Sequence, residues 1–409
     1  MFNKYQIKKI RSNFPILKKK IGGKKIIYFD NSSTTHKPKC LINNIKHYYY
    51  NYNSNINRSN SYLSNKTNNF IYRTRKKIKT FINAKYSKEI IFTKGTTESI
   101  NLISNSIKYF KNDEIIITLL EHHSNILPWQ LLAIKKKIKL NIVNINNKFN
   151  ITLNEIKKKI NKYTKLISLT HISNVFGTIL PIYQIVKYIK KYNKNIIILL
   201  DSAQSIAHIP IDVQKLNIDF LAFSAHKFYG PTGLGILYGK INMLKKLNKY
   251  QVGGNMVKEV KIKKSTYLNI PYKFEAGTPN ISSIISFYYV LKFIEKINIY
   301  NINIYEKKLI EYTKNKLLNN NNIILYGKNN IINSSIISFN IKNKNNFDIG
   351  CLLNNYGIYV RTGYHCAQPL FNKLNIKNGT IRISYGIYNT KKEIDIFYFY
   401  LLKIIKNIF

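Results

Sequence analysis

At 409 residues the chain is long enough for two domains and at least one large core. A hydrophobic share of 45%, with 32 Tyr and 21 Phe, excludes a disordered protein despite the abundance of Lys and Asn. The formal charge of +48 is spread evenly as Lys, and Arg occurs only at positions 11, 58, 73, 75, 361 and 382, which reads as compositional bias rather than a nucleic-acid surface.

The N-terminus, Met1-Phe-Asn-Lys-Tyr, has no signal-peptide core. Residues 1–20 pattern as a short amphipathic helix ending near Phe14-Pro15. Ile26–Asp30 reads as a strand, followed by the polar turn Asn31-Ser-Ser-Thr-Thr35. Residues 40–85 are expected to be mostly helical, apart from an Asn/Ser-rich loop at 51–61. From about residue 89, short apolar runs alternate with helical segments. Strands are expected at Glu89–Thr93, Glu114–Thr118, Lys139–Ile145, Leu166–Thr170, Ile196–Leu200, Phe220–Ser224 and Gly235–Tyr238. That alternation predicts an α/β fold with a mostly parallel seven-stranded sheet. Beyond Phe274-Glu-Ala-Gly-Thr-Pro-Asn280 the character changes. A long helical segment over about 282–319 leads into strands near Ile336–Ile341 and Thr380–Ser384, then a final helix from Lys391. The expected division is a large α/β domain over 21–287 and a smaller α+β domain built from 1–20 and 288–409. No apolar run approaches the roughly 18 residues of a membrane span, so a soluble chain is expected.

Ligands of open α/β sheets bind beyond the C-terminal strand ends, and the chemically distinctive residues fall at those ends. In Gly95-Thr96-Thr97-Glu98 a strand ends in Gly and re-enters a helix with hydroxyls at its start, which suits either a phosphate cup or ordinary N-capping. Glu121-His122-His123 follows the next strand. A ring stacked on a flat cofactor suits one of these two histidines, although a structural role fits either as well. Asn174 ends a further strand with an amide able to hold a substrate oxygen. Asp201 closes the run Ile196–Leu200, where a carboxylate can keep a pyridine nitrogen protonated or cap a helix. Lys227 ends a buried run, flanked by Ser224 and His226. It can form a Schiff base with a carbonyl cofactor or snorkel to solvent. The three cysteines, Cys40, Cys351 and Cys366, show neither CxxC nor metal-ligand spacing, so no metal site and a reducing compartment are expected. Cys366, in Arg361-Thr-Gly-Tyr-His-Cys366, lies beside His and near Arg in a Gly/Pro-flanked loop, which favours a reactive thiol over a buried structural one. Arg382 has the fork to grip a carboxylate. Phosphate cup, stacking ring, ring-nitrogen acid and Schiff-base lysine are together the protein-side requirements of pyridoxal 5'-phosphate.

In Glu121-His-His, Ser224-Ala-His-Lys-Phe-Tyr-Gly-Pro-Thr-Gly233, Phe274–Asn280 and Arg361–Cys366 the chain resembles the Suf-type (group II) cysteine desulfurases, a branch of the class V aminotransferase family of fold-type I pyridoxal-phosphate enzymes. The resemblance runs from Asn13 to Thr390. It implies a homodimer that converts L-cysteine to L-alanine, leaves a persulfide on Cys366, and passes sulfur to a SufE- or SufU-like acceptor and the SufBCD scaffold for iron–sulfur cluster assembly. Lys227 would hold the cofactor and shuttle protons. Asp201 would face the ring nitrogen, Gln204 the phenolic oxygen, and His123 would stack on the ring. Thr96, Thr97, Ser224 and His226 would bind the phosphate, joined by Thr278 of a neighbouring subunit. Asn174 and Arg382 would orient the substrate. The chain departs from the family at Ser32-Ser33, where a small Ala-Ala pair is usual, at Asn57-Arg58-Ser59, where His-Arg-Gly is usual, and at Tyr364, where His is common. A selenocysteine lyase or another lyase or aminotransferase of the same fold is the alternative. The expected compartment is cytoplasmic or a plastid, including an apicoplast, with no nucleic-acid or membrane partner.

Overall fold

The computed structural model describes residues 2–57, 60–327 and 334–408, so Arg58 and Ser59 of the second departure lie outside the described residues. Seven strands build the main sheet. They are β1 (Ile90–Thr93), β2 (Glu114–Thr118), β3 (Lys139–Val143), β4 (Thr164–Thr170), β5 (Ile197–Asp201), β6 (Phe220–Ser224) and β7 (Gly235–Gly239). Their order across the sheet is β1-β7-β6-β5-β4-β2-β3. The strands β2 to β6 pair in parallel, and β7 is antiparallel to both of its neighbours, β1 and β6. The strands β5 and β6 are buried along their whole length, which is why they read as unbroken apolar runs rather than as alternation. Helices cover both faces. In Ile182–Tyr192 the buried residues Ile182, Ile185, Val186 and Ile189 form the i, i+3, i+4, i+7 stripe that packs such a helix on a sheet.

A second sheet comprises β8 (Ile323–Leu325), β9 (Ile336–Ile341), β10 (Arg361–Gly363) and β11 (Thr380–Ser384), antiparallel throughout, in the order β8-β9-β11-β10. Its own apolar cluster includes Leu309, Phe339, Ile383 and Phe397, the last from the C-terminal helix Lys391–Ile408. The segment Ile27–Tyr28 pairs in parallel with Ile358–Tyr359, and Phe29 enters this second cluster. The chain just after it therefore runs between the two sheets, which decides the shape of the site.

The single helix expected over about 282–319 is two helices, Ile281–Ile297 and Ile299–Leu318. Asn298 breaks it at φ 73, in the left-handed region, and its side chain caps the second helix by accepting from the Tyr300 N–H at 2.9 Å. A hairpin of Val257–Val260 with Ser265–Tyr267 was also absent from the sequence-based expectation, since its polar, exposed strands carry no apolar alternation. Among the described residues no helix is long and apolar enough to cross a membrane.

Candidate active site

The strand ends of the main sheet open on a cavity of about 240 Å³. The helix Thr96–Ser106 starts there, one residue after Gly95. Close approach of β7 makes this possible, because a Cβ on Gly235 would sit 2.4 Å from the Cα and N of Gly95. Ser224 Oγ, at the end of β6, accepts from the Thr96 N–H at 2.8 Å and shares a hydrogen bond with Thr96 Oγ1 at 2.8 Å. Thr97 Oγ1 bonds Ser124 Oγ at 2.8 Å. Thr96, Thr97, Ser224 and His226 all line the cavity, so hydroxyls converge on the positive end of a helix.

Lys227 follows β6 in the short turn Ala225–Lys227. Burial pushes its amine down to about 8, opposed by the Asp201 carboxylate; the guanidinium charges of Arg382 and Arg361 push it further down. Asp201 is buried at the end of β5. Desolvation raises its carboxyl, while the Ala203 N–H, 2.9 Å from Oδ1, and the charge of Lys227 pull it back. The turn holding Lys227 is pinned from outside. The His226 carbonyl accepts from Lys37 Nζ at 2.8 Å, Thr35 Oγ1 at 3.1 Å and Thr34 Oγ1 at 3.2 Å. Gln204, also on the cavity wall, donates through Nε2 to the Ser32 carbonyl at 2.9 Å.

His123, expected against a cofactor ring, does not line the cavity; His122 does. His122 caps a 3-10 turn that begins at His123. His122 Nδ1 accepts from the Ser124 N–H at 3.0 Å, which fixes its ring against the cavity. Burial, reinforced by the positive charge of Lys227, pushes its imidazole down to about 3, so the ring is neutral. His123 faces the thiol loop instead, where its N–H donates to the Cys366 carbonyl at 2.8 Å and its Nε2 accepts from the Gln368 N–H at 3.1 Å. Glu121 supports the turn from below. Its carboxyl accepts from Thr118 Oγ1 and Asn125 Nδ2, both at 2.6 Å, and from the Thr170 N–H at 2.9 Å. Full burial pushes it up to about 8.

The opposite wall comes from the second sheet. His365 and Cys366 adopt φ 48 and φ 56, a left-handed pair of non-glycine residues that turns the thiol loop sharply. Asn174 Nδ2 donates to the His365 carbonyl at 2.7 Å. Arg361 donates to Cys366 Sγ at 3.5 Å. Arg382 is buried; it donates to the Asn174 carbonyl and to Asp30 Oδ1, both at 2.9 Å, while its Nε has no partner among the described residues.

Among the expected residues, Thr96, Thr97, Asp201, Gln204, Ser224, His226, Lys227, Asn174 and Arg382 meet at one cavity. Thr278 does not. It is exposed and lines a different surface cavity with Phe92, Lys94 and Gly233. Ser32 and Ser33 are lining residues that sequence reasoning marked only as departures. The donor set fits pyridoxal phosphate on its chemistry: an anion cup, a buried carboxylate, a neutral ring and an amine of depressed basicity.

Residues 27–397 match the family described as aminotransferase class-V. A cysteine desulfurase of Wigglesworthia glossinidia brevipalpis is 44% identical over 408 residues, covering 98% of each chain. A probable cysteine desulfurase of Borreliella burgdorferi is 44% identical over 415 residues, covering 99% of this chain and 98% of the relative. The solved apo structure of a cysteine desulfurase from Thermococcus onnurineus NA1 superposes with a TM-score of 0.92 at 34% identity, covering 98% of both chains.

Proposed function

The chain belongs to the aminotransferase class-V family as a cysteine desulfurase, and we propose that it takes L-cysteine to L-alanine and leaves the sulfur as a persulfide on Cys366. Cys366 does not itself line the cavity, and the observation that carries this reading is that Arg361, which lines it together with Lys227 and Asp201, donates to Cys366 Sγ at 3.5 Å.

Thr96, Thr97, Ser224 and His226 would hold the cofactor phosphate, Asp201 the ring nitrogen, Gln204 the phenolic oxygen and Lys227 the aldehyde carbon, with the neutral His122 against the ring face. When bound, pyridoxal phosphate supplies an electron sink that weakens bonds around the substrate's α-carbon. The chain's own groups do the rest. Arg382, whose Nε–H has no partner among the described residues, grips the α-carboxylate beside Asn174. An S–S bond forms at Cys366 Sγ as the substrate's Cβ–S bond breaks, and the carbon keeps the electron pair and takes up a proton. The Lys227 amine, pushed down to about 8, is suited to move protons near neutral pH.

A division into a large domain over 21–287 and a small one from 1–20 and 288–409 is supported by the two sheets, while the apolar clusters cross it: Ile7, Ile10 and Phe14 pack in the first cluster, and Ile27 and Phe29 in the second. The exposed Thr278 suits a homodimer in which a second copy completes the phosphate cup. The persulfide would pass to a SufE- or SufU-like acceptor and on to SufBCD for iron–sulfur cluster assembly, in the cytoplasm or a plastid. The free thiols Cys40, Cys351 and Cys366 suit such a reducing compartment.

The test is Cys366→Ser. The variant keeps the cofactor's visible absorbance but releases no persulfide or sulfide from cysteine. Sulfur release at the wild-type rate would sink the assignment.

A further inference from the structure

The strands β10 and β11 pair antiparallel with Arg361 directly opposite Arg382. Two like charges opposed on one face of a sheet destabilise each other unless something shares them. What shares them here is the segment Asp30–Ser33, which runs between the two sheets. Ser33 Oγ accepts from Arg361 at 2.6 Å and from Arg382 at 3.0 Å, and donates its proton to Asp30 Oδ1 at 2.7 Å. Both lone pairs and the single proton of the hydroxyl are used. Asp30 Oδ1 also accepts from Arg382 at 2.9 Å.

The two arginines depend on Ser33 unequally. Arg382 keeps Asp30 and the Asn174 carbonyl whether or not the hydroxyl is there. Arg361 donates, among the described residues, only to Ser33 Oγ and to Cys366 Sγ. Resting on the desulfurase reading of the site, we propose that Ser33 is a positioning residue that aims Arg361 at the Cys366 sulfur and joins it to the carboxylate-gripping Arg382. Alanine at this position supplies no acceptor, so Arg361 would be held only by the sulfur it serves. Threonine restores the hydroxyl.

The test uses the holoenzyme of Ser33→Ala and Ser33→Thr. In Ser33→Ala, kcat for alanine release falls roughly tenfold, the loss of about one charge-assisted hydrogen bond, while KM for cysteine stays within about twofold because Arg382 keeps its other anchors. Alkylation of Cys366 by iodoacetamide, read by mass on the peptide that carries it, slows by a similar factor, and the cofactor absorbance does not change. Ser33→Thr recovers both rates. Wild-type rates in Ser33→Ala overturn the proposal. So does a joint loss of KM and cofactor absorbance, which would mark a general collapse of the site, or a failure of Thr to restore the rates. Alkylation needs no turnover, so it still tests the Ser33–Arg361–Cys366 link if the wild-type protein released no alanine, an outcome that would sink only the desulfurase reading.

Discussion

The two walls of the cavity are built in opposite ways. The floor is made of strand ends: Thr96 after β1, His122 after β2, Asp201 on β5 and Lys227 after β6. Each side chain there is aimed by a buried strand whose register is fixed by the sheet. The thiol wall is assembled from Asp30–Ser33, Asn174, Arg361–Gln368 and Arg382, segments far apart in the chain that meet through side-chain hydrogen bonds. Its turn carries two left-handed non-glycine residues, a conformation that costs of order 1 kcal/mol per residue and persists only when its surroundings hold it. A rigid floor suits groups that must hold one cofactor in one pose. A wall held by exchangeable hydrogen bonds suits a thiol that must reach a substrate and later give its sulfur away.

Lesions on the two walls should therefore separate binding of the cofactor from transfer of sulfur. The largest effect is expected for Lys227→Ala. Turnover falls by roughly 10³-fold or more, the scale of a lost acid–base and covalent group, and the visible band of the lysine-linked cofactor disappears. An unchanged spectrum would place the link on another lysine. On the thiol wall, Arg382→Lys keeps the charge but loses the planar fork. There kcat/KM for cysteine falls about 100-fold with the resting spectrum intact. A spectral change as large as that of the floor variant would erase the distinction between the walls.

This asymmetry also accounts for what could be read before the structure. The inner strands and the floor residues that end them were legible because burial on both faces writes continuous apolar runs, and a polar residue that ends such a run is conspicuous. Asp201 and Lys227 are of that kind. The edge strand β3, Lys139–Val143, is largely exposed. The choice between His122 and His123 was not legible, because which of two adjacent rings faces the cavity depends on the 3-10 turn capped by His122 itself. Asn298 was missed as a breaker because Asn is everywhere in this chain, and its left-handed φ leaves no mark in composition. Ser33 appeared only as a departure from the family. Its meaning needs the Arg361–Arg382 register, a contact between positions more than 300 residues away from it in sequence.

Glu121 offers a smaller lever on the floor. Folded, it keeps its proton up to about 8, whereas its ordinary value is 4.5. The folded state thus binds the extra proton between those values. Stability falls as pH rises across that window and is flat on either side of it. At about 1.4 kcal/mol per unit the change amounts to a few kcal/mol. In Glu121→Gln the urea midpoint should lose that slope between pH 5 and 8. A slope equal to wild type would assign the pH dependence to other groups.

The finest separation is between the adjacent histidines, since each belongs to a different wall. His122 sits on the cavity, and its imidazole stays neutral because burial beside Lys227 disfavours the cation. Replacing it by Ala should shift the cofactor band and lower kcat/KM about tenfold, the worth of one stacked aromatic contact. His123 instead braces the thiol loop through the Cys366 carbonyl and the Gln368 N–H. His123→Ala removes only the second of these, because the first uses its backbone. The spectrum should stay as in wild type, and alkylation of Cys366 should change by no more than a few fold. If the spectrum instead responded to His123 and not to His122, the turn would have to reverse in the loaded enzyme, and the boundary between the walls would move by one residue.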